Sequence, residues 1–127
     1  MGHLNSILVV EDDEGIREMI KLALEMEGYT VFTAVNGKQG LDLLPTIPKP
    51  SLILLDLMMP VMNGWEFVDA ISKDMTLATI PVVVVTAFPN GTNAIRAKSV
   101  MKKPVDLHTL LEVVRQWCGE AMQDSAA

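Results

Sequence analysis

Cysteine is nearly absent from this sequence. Cys118 is the only one in 127 residues, so no disulfide can close within the chain. It lies beside Trp117 in an apolar helical pattern and reads as a small buried hydrophobe. Positive charge is also scarce: 10 Lys and Arg against 16 Asp and Glu give a net charge of −6. That is the wrong sign for a module that binds nucleic acid by releasing phosphate counterions. No apolar run reaches the roughly 18–20 residues of a membrane span, and Met1-Gly2-His3 lacks the form of a signal peptide. A cytoplasmic protein without direct membrane or nucleic-acid contact is expected. There is no internal repeat and no low-complexity segment.

What is present is the composition of one globular domain, half hydrophobic and one fifth charged. A chain of this length buries roughly two-thirds of its unfolded surface and needs no metal or disulfide to fold. The nine methionines read mostly as core filler. The domain is expected to span 6–119, with loose termini at 1–5 and 120–127.

Short apolar runs alternate with amphipathic stretches. Ile7 to Val10, Thr30 to Ala34, Leu52 to Leu55 and Val82 to Val85 read as buried strands. Ser99 to Met101 is a weaker fifth. Between the first two, Glu14 to Glu27 has helical spacing, with Ile16, Met19, Ile20 and Ala23 on one face and Gly28 as the stop. Asn36 with Gln39, and Asn63 with Glu66, have the form of capping boxes that open helices. The second of these helices turns Phe67, Val68 and Ile71 inward. Asp106 caps a last helix with Leu107, Leu110, Leu111, Val114, Trp117 and Cys118 on one face. Strands alternating with helices imply a parallel sheet covered on both faces, a doubly wound α/β fold.

In such sheets, ligands bind outside the carboxyl ends of the strands. Those ends carry Glu11-Asp12-Asp13, Asp56, Thr86 and, after the fifth strand, Lys102-Lys103-Pro104. Several carboxylates in one pocket repel one another unless a cation relieves them. Mg²⁺ suits this role: it takes one or two carboxylates and keeps waters that a phosphoryl oxygen can replace. Lys103 can pair with Asp56 at rest and with phosphate oxygens afterwards, and the Thr86 hydroxyl can bond to a phosphoryl oxygen. The set points to phosphoryl transfer, with Asp56 as the nucleophile. Met58 and Phe88 stand near this site, and Trp65 follows its loop.

Over about residues 6–118 the chain resembles bacterial two-component receiver domains. The resemblance is carried by Ile7-Leu8-Val9-Val10-Glu11-Asp12, Leu55-Asp56-Leu57-Met58-Met59-Pro60, Met62-Asn63-Gly64, Pro81 to Val85 with Thr86-Ala87, and Lys103-Pro104, with Arg17 on the first helix. It implies a flavodoxin-like sheet of five parallel strands in the order 2-1-3-4-5. It also implies phosphorylation of Asp56 by a histidine kinase or phosphotransfer protein, and an unknown downstream protein as target. Asp12 and Asp56 would bind Mg²⁺ (or Mn²⁺) directly, together with the Met58 backbone carbonyl, and Glu11 would act through water. Thr86 and Lys103 would contact the phosphoryl group, the Lys103–Pro104 bond would be cis, and Arg17 would align the acidic pair. Asp13 would cap the first helix.

Two features depart from the family. Only sixteen residues separate Thr86 from Lys103, and Pro89-Asn90-Gly91 among them is a turn signal. The fourth crossover helix should therefore be shortened or missing. Val100 stands where receivers carry a Tyr or Phe that swings inward on activation. The phosphorylation chemistry reads as intact and the output as altered.

The main alternative is a phosphate-independent pseudo-receiver acting as a docking module. A haloacid-dehalogenase-type phosphatase would need a second Asp at position 58, which is Met. A flavin-binding module would need a hydroxyl- and Gly-rich loop where Glu11-Asp12-Asp13 stands. The protein catalyses its own phosphorylation in this reading and is not otherwise an enzyme.

Overall fold

A computed structural model describes residues 5–89 and 97–118. Five strands, β1 (Ser6–Val10), β2 (Thr30–Ala34), β3 (Leu52–Leu55), β4 (Val82–Thr86) and β5 (Ser99–Lys102), form one sheet in the order β2-β1-β3-β4-β5. Every pairing is parallel. The register sets Val10 beside Ala34 and Leu55, and Thr86 beside Lys102. This lines up the carboxyl ends of the strands on one edge.

The described helices are α1 (Glu14–Met26), α2 (Gly37–Leu43), α3 (Gly64–Ser72) and α4 (Leu107–Cys118). Side chains alternate across the strands with period two, so each sheet face has its own core. Leu8, Val10, Ile53, Leu55, Val82 and Val84 join Phe67 and Ile71 of α3 on one face. Ile7, Val9, Leu52, Leu54, Val83, Val85 and Met101 join Ile20 and Leu24 of α1 and Leu110 and Val114 of α4 on the other. Fully buried strands of this kind read as continuous apolar runs, which is why β1, β3 and β4 stand out in the sequence.

Three local details differ from the sequence reading. In α1 the buried pair is Ile20 and Leu24, while Met19 is exposed with Leu22 and Met26; the expected face was rotated because Leu24 carries it and Met19 does not. In α2, Asn36 accepts from the Gln39 N–H, but the Gln39 side chain accepts from Val35 N–H, one residue before the cap. The Asn63–Glu66 box on α3 is reciprocal. Asn5, expected in a loose terminus, is tied at both ends: its carbonyl accepts from Thr30 N–H, and its side chain donates to the Cys118 carbonyl. The fourth crossover helix, expected to be shortened or missing with only Thr92 to Ala97 left for it, falls almost wholly on 90–96, outside the described residues, where 1–4 and 119–127 also lie. None of the four described α-helices lies between β4 and β5.

Candidate functional site

Each site residue is placed by the element that precedes it. Buried β1 delivers Glu11 to the edge, 2% exposed, while Asp12 lies open to solvent. Asp13 caps α1 by accepting from Ile16 N–H at 2.9 Å, where its charge also favours the helix N-terminus. Its own N–H donates to Glu11 Oε2 at 3.1 Å. Arg17, one turn into α1, reaches back and donates to the backbone carbonyls of Glu11 (3.0 Å) and Asp12 (3.5 Å). It therefore aligns the acidic pair through their main chain and not through their carboxylates.

Asp56 ends β3 and is 5% exposed. Its N–H donates to the Val10 carbonyl at 2.9 Å, which extends the β1–β3 ladder to the site. Its Oδ1 accepts from Met58 N–H at 3.4 Å. Single carboxylate oxygens of Glu11, Asp12 and Asp56 lie within 4.8 Å of one another. At this spacing the charges conflict. Burial foremost, then the negative charge of Glu11 and a hydrogen bond with the Asp12 side chain, push the Asp56 carboxyl up to about 7. Lys103 and the Met58 N–H pull the other way and do not cancel the rise.

Lys103 follows β5, where its N–H donates to the Thr86 carbonyl at 2.8 Å. The Lys103–Pro104 peptide is cis. The ammonium lies nearest Glu11, at 2.9 and 3.2 Å from its two oxygens, and 3.5 Å from Asp56 Oδ1. Burial works against the lysine's charge, but the bond to Glu11 and the charges of Glu11 and Asp56 outweigh it, so its pKa rises above the ordinary lysine value. The lysine expected to pair with Asp56 thus pairs first with Glu11.

Of the two residues expected to contact the phosphoryl group, Lys103 lines the cleft and Thr86 does not. Thr86 is fully buried, and its hydroxyl accepts from Phe88 N–H at 3.1 Å. Val100 pairs in register with Val84 on edge strand β5 and is partly exposed. The cleft is lined by Glu11, Asp12, Asp56 and Lys103, with Met58 and Phe88 at its rim. Asp13, Ile16 and Ala87 also line it; the sequence reading places Ile16 on a helix face and Ala87 in a motif, and neither at the site. Ala87 is marked only by following a strand-end threonine, and Ile16 only by its place in the first turn of α1. The oxygen donors and their spacing suit a hard divalent cation, which would relieve the conflict that raises Asp56.

The sequence profile of the family described as response regulator receiver domain matches residues 7–115. The chain is 35% identical over 114 residues to the DNA-binding dual master transcriptional regulator RpaA of Synechocystis, covering 86% of this chain and 47% of that protein. It is 36% identical over 115 residues to the protein PilH of Pseudomonas aeruginosa, covering 85% and 93% respectively. The chain thus spans about half the length of the first relative and nearly all of the second. Among solved structures it resembles response regulator protein TrrA of Thermotoga maritima, a complex with Mg²⁺ and BeF. The TM-score is 0.80 at 29% identity, covering 90% of this chain and 99% of that one.

Proposed function

The chain belongs to the response regulator receiver family, and on that premise we propose that Asp56 accepts a phosphoryl group from a histidine kinase or phosphotransfer protein. The observation that carries this is the buried Asp56 carboxyl, held within reach of Lys103 and crowded by Glu11 and Asp12.

Asp12, Asp56 and the Met58 backbone carbonyl would hold Mg²⁺ (or Mn²⁺), with Glu11 acting through water. Bound there, the cation supplies neutralisation of charge on the transferring phosphoryl oxygens. In the transfer itself an Asp56 carboxylate oxygen attacks phosphorus, an O–P bond forms and the donor's P–N bond breaks. The donor imidazole leaves with the electron pair. Asp56 must be ionised to attack, and the Lys103 ammonium favours that form. Afterwards Lys103 follows the new phosphoryl oxygens. Thr86 contributes its hydroxyl by turning from Phe88 N–H toward them.

The unit that is phosphorylated is residues 6–119, and in the cytoplasm its phosphorylation switches binding to a downstream protein, without direct nucleic-acid or membrane contact. It catalyses its own phosphorylation and turns over no separate substrate. A second reading, a phosphate-independent docking module, is favoured by one observation: Val100 replaces the aromatic of the family on a partly exposed strand.

The test is intact-mass measurement after incubation with Mg²⁺ and a small-molecule phosphodonor, with Asp56→Asn as control. A single phosphoryl adduct on wild type and none on the variant is expected. No adduct on either, under conditions that label an established receiver, would overturn the proposal in favour of the docking module.

A further inference from the structure

The loop that carries Met58 holds a strained backbone. Val61 has φ 70°, a left-handed conformation that is a genuine outlier for a β-branched residue. Such strain persists only where the surroundings over-determine it. Leu57 and Met59 are buried and fix the outgoing arm of the loop, while Met58 and Val61 are exposed and fix nothing by packing. Besides the local bond from Met62 N–H to the Pro60 carbonyl across Val61 (2.7 Å), two hydrogen bonds hold the return. Gly64 N–H donates to the Leu57 carbonyl at 2.9 Å and closes the base. Gly37 N–H, from the first turn of α2, donates to the Met62 carbonyl at 3.0 Å.

The second contact crosses between elements, and it needs glycine. A Cβ on Gly37 would stand 2.8 Å from both Cγ and the carbonyl oxygen of Met62. The flexible side chain can move aside, but the carbonyl cannot do so without the loop. Asn36 aims this N–H by capping α2 through Gln39 N–H. Released from Gly37, the turn keeps only its own Met62 N–H to Pro60 carbonyl bond and the Gly64–Leu57 closure, so it can shift as a unit and carry the peptide planes between Met58 and Pro60 with it.

We infer that Gly37, outside the cleft, is a positioning residue for the metal site: its contact with Met62 fixes the Met58 carbonyl relative to Asp12 and Asp56. The inference rests on the proposed cation site and adds to it a residue on another element. Partners that orient a ligand from outside the coordination shell typically change metal affinity by 10–100-fold when removed.

The experiment is calorimetric titration of Mg²⁺ into wild type, Gly37→Ala, Gly40→Ala and Asn36→Ala, with the thermal midpoint of each measured in EDTA. Gly40→Ala is the packing control, because its Cβ meets Phe67 Cε1 at 3.0 Å and Val10 Cγ2 at 3.4 Å, away from the loop. Gly37→Ala is expected to bind Mg²⁺ about tenfold more weakly, while Gly40→Ala loses thermal stability and keeps wild-type affinity. Asn36→Ala, which adds no atom, gives a smaller loss of affinity and carries the test if Gly37→Ala does not fold. Wild-type affinity in whichever of Gly37→Ala and Asn36→Ala is folded, or an equal loss in Gly40→Ala, would overturn the inference. Wild-type protein that takes up no Mg²⁺ would overturn the cation site itself and the inference with it.

Discussion

At the β1–β3 side of the carboxyl edge, polar groups are locked in place by named partners. Glu11 receives the Asp13 N–H and the Lys103 ammonium, Arg17 holds two backbone carbonyls, and Asp56 continues the ladder to Val10. At the β4–β5 side the arrangement is looser. Thr86 is buried and turned to Phe88, Phe88 is largely exposed, and Val100 lies on a partly open edge strand. Lys103 bridges the two sides, tied through its backbone to Thr86 and through its ammonium to Glu11. The groups proposed to accept the phosphoryl group are thus mostly held on one side, and the sequence's departures from the family are concentrated in the other.

Breaking the bridge should have the largest effect. Lys103→Met leaves Glu11 and Asp56, both nearly buried, without their cation. Removing one partner of a buried charged set costs about 3–5 kcal/mol. Urea unfolding at pH 8 in EDTA should show this loss, and the loss should shrink near pH 4, where Asp56 has taken up its proton. A cost below about 1 kcal/mol at pH 8 would mean that water, and not Lys103, stabilises the acidic side.

Asp56→Asn should act in the opposite direction. The native carboxyl is pushed up to about 7, above the ordinary aspartate value of 3.8, so the folded state binds the extra proton between those values. The stability Asp56 contributes is fully present below about pH 4 and is lost as pH rises through about 7. The Asn variant lacks that loss, and Lys103 keeps Glu11 as its partner. It should therefore exceed wild type by on the order of 2 kcal/mol at pH 8 in EDTA and match it near pH 4. Added Mg²⁺ should stabilise wild type more than the variant and narrow the gap.

Much of this was legible in the sequence because it is local. The continuous runs Ile7 to Val10, Leu52 to Leu55 and Val82 to Val85 announce strands buried on both faces, and parallel order then brings Glu11, Asp12, Asp56 and Lys103 to one edge. The capping of α3 by Asn63 and Glu66 is a four-residue signal. What was not legible is set by distant contacts. Lys103 prefers Glu11, 92 positions away, because the geometry of two loops decides between two nearby carboxylates. Thr86 is buried instead of lining the cleft, and its hydroxyl accepts from Phe88 N–H. The Gly37–Met62 contact and the left-handed Val61 leave no periodicity at all. Met19 was misplaced on α1 because a run with apolar residues on several faces, Met19, Leu22 and Met26 among them, does not by itself say which face the sheet takes.

The smallest effect should come from the looser side. Val100 is 38% exposed and paired with Val84 at the sheet edge, while the next residue, Met101, carries the packing on the opposite face. An aromatic suits such a partly exposed position by strand propensity. Val100→Tyr should leave the unfolding free energy within about 0.5 kcal/mol of wild type. The rate of adduct formation at Asp56 should also stay the same, because Val100 is not among the residues that line the cleft. An unchanged labelling rate with an unchanged unfolding curve would confirm that the two sides of the edge are separable, with acceptance of phosphate independent of the residue that the family uses for its readout. A slowed rate would instead tie the β5 edge to the chemistry, and Lys103, three residues on and bonded to Thr86, is the group through which that coupling would run.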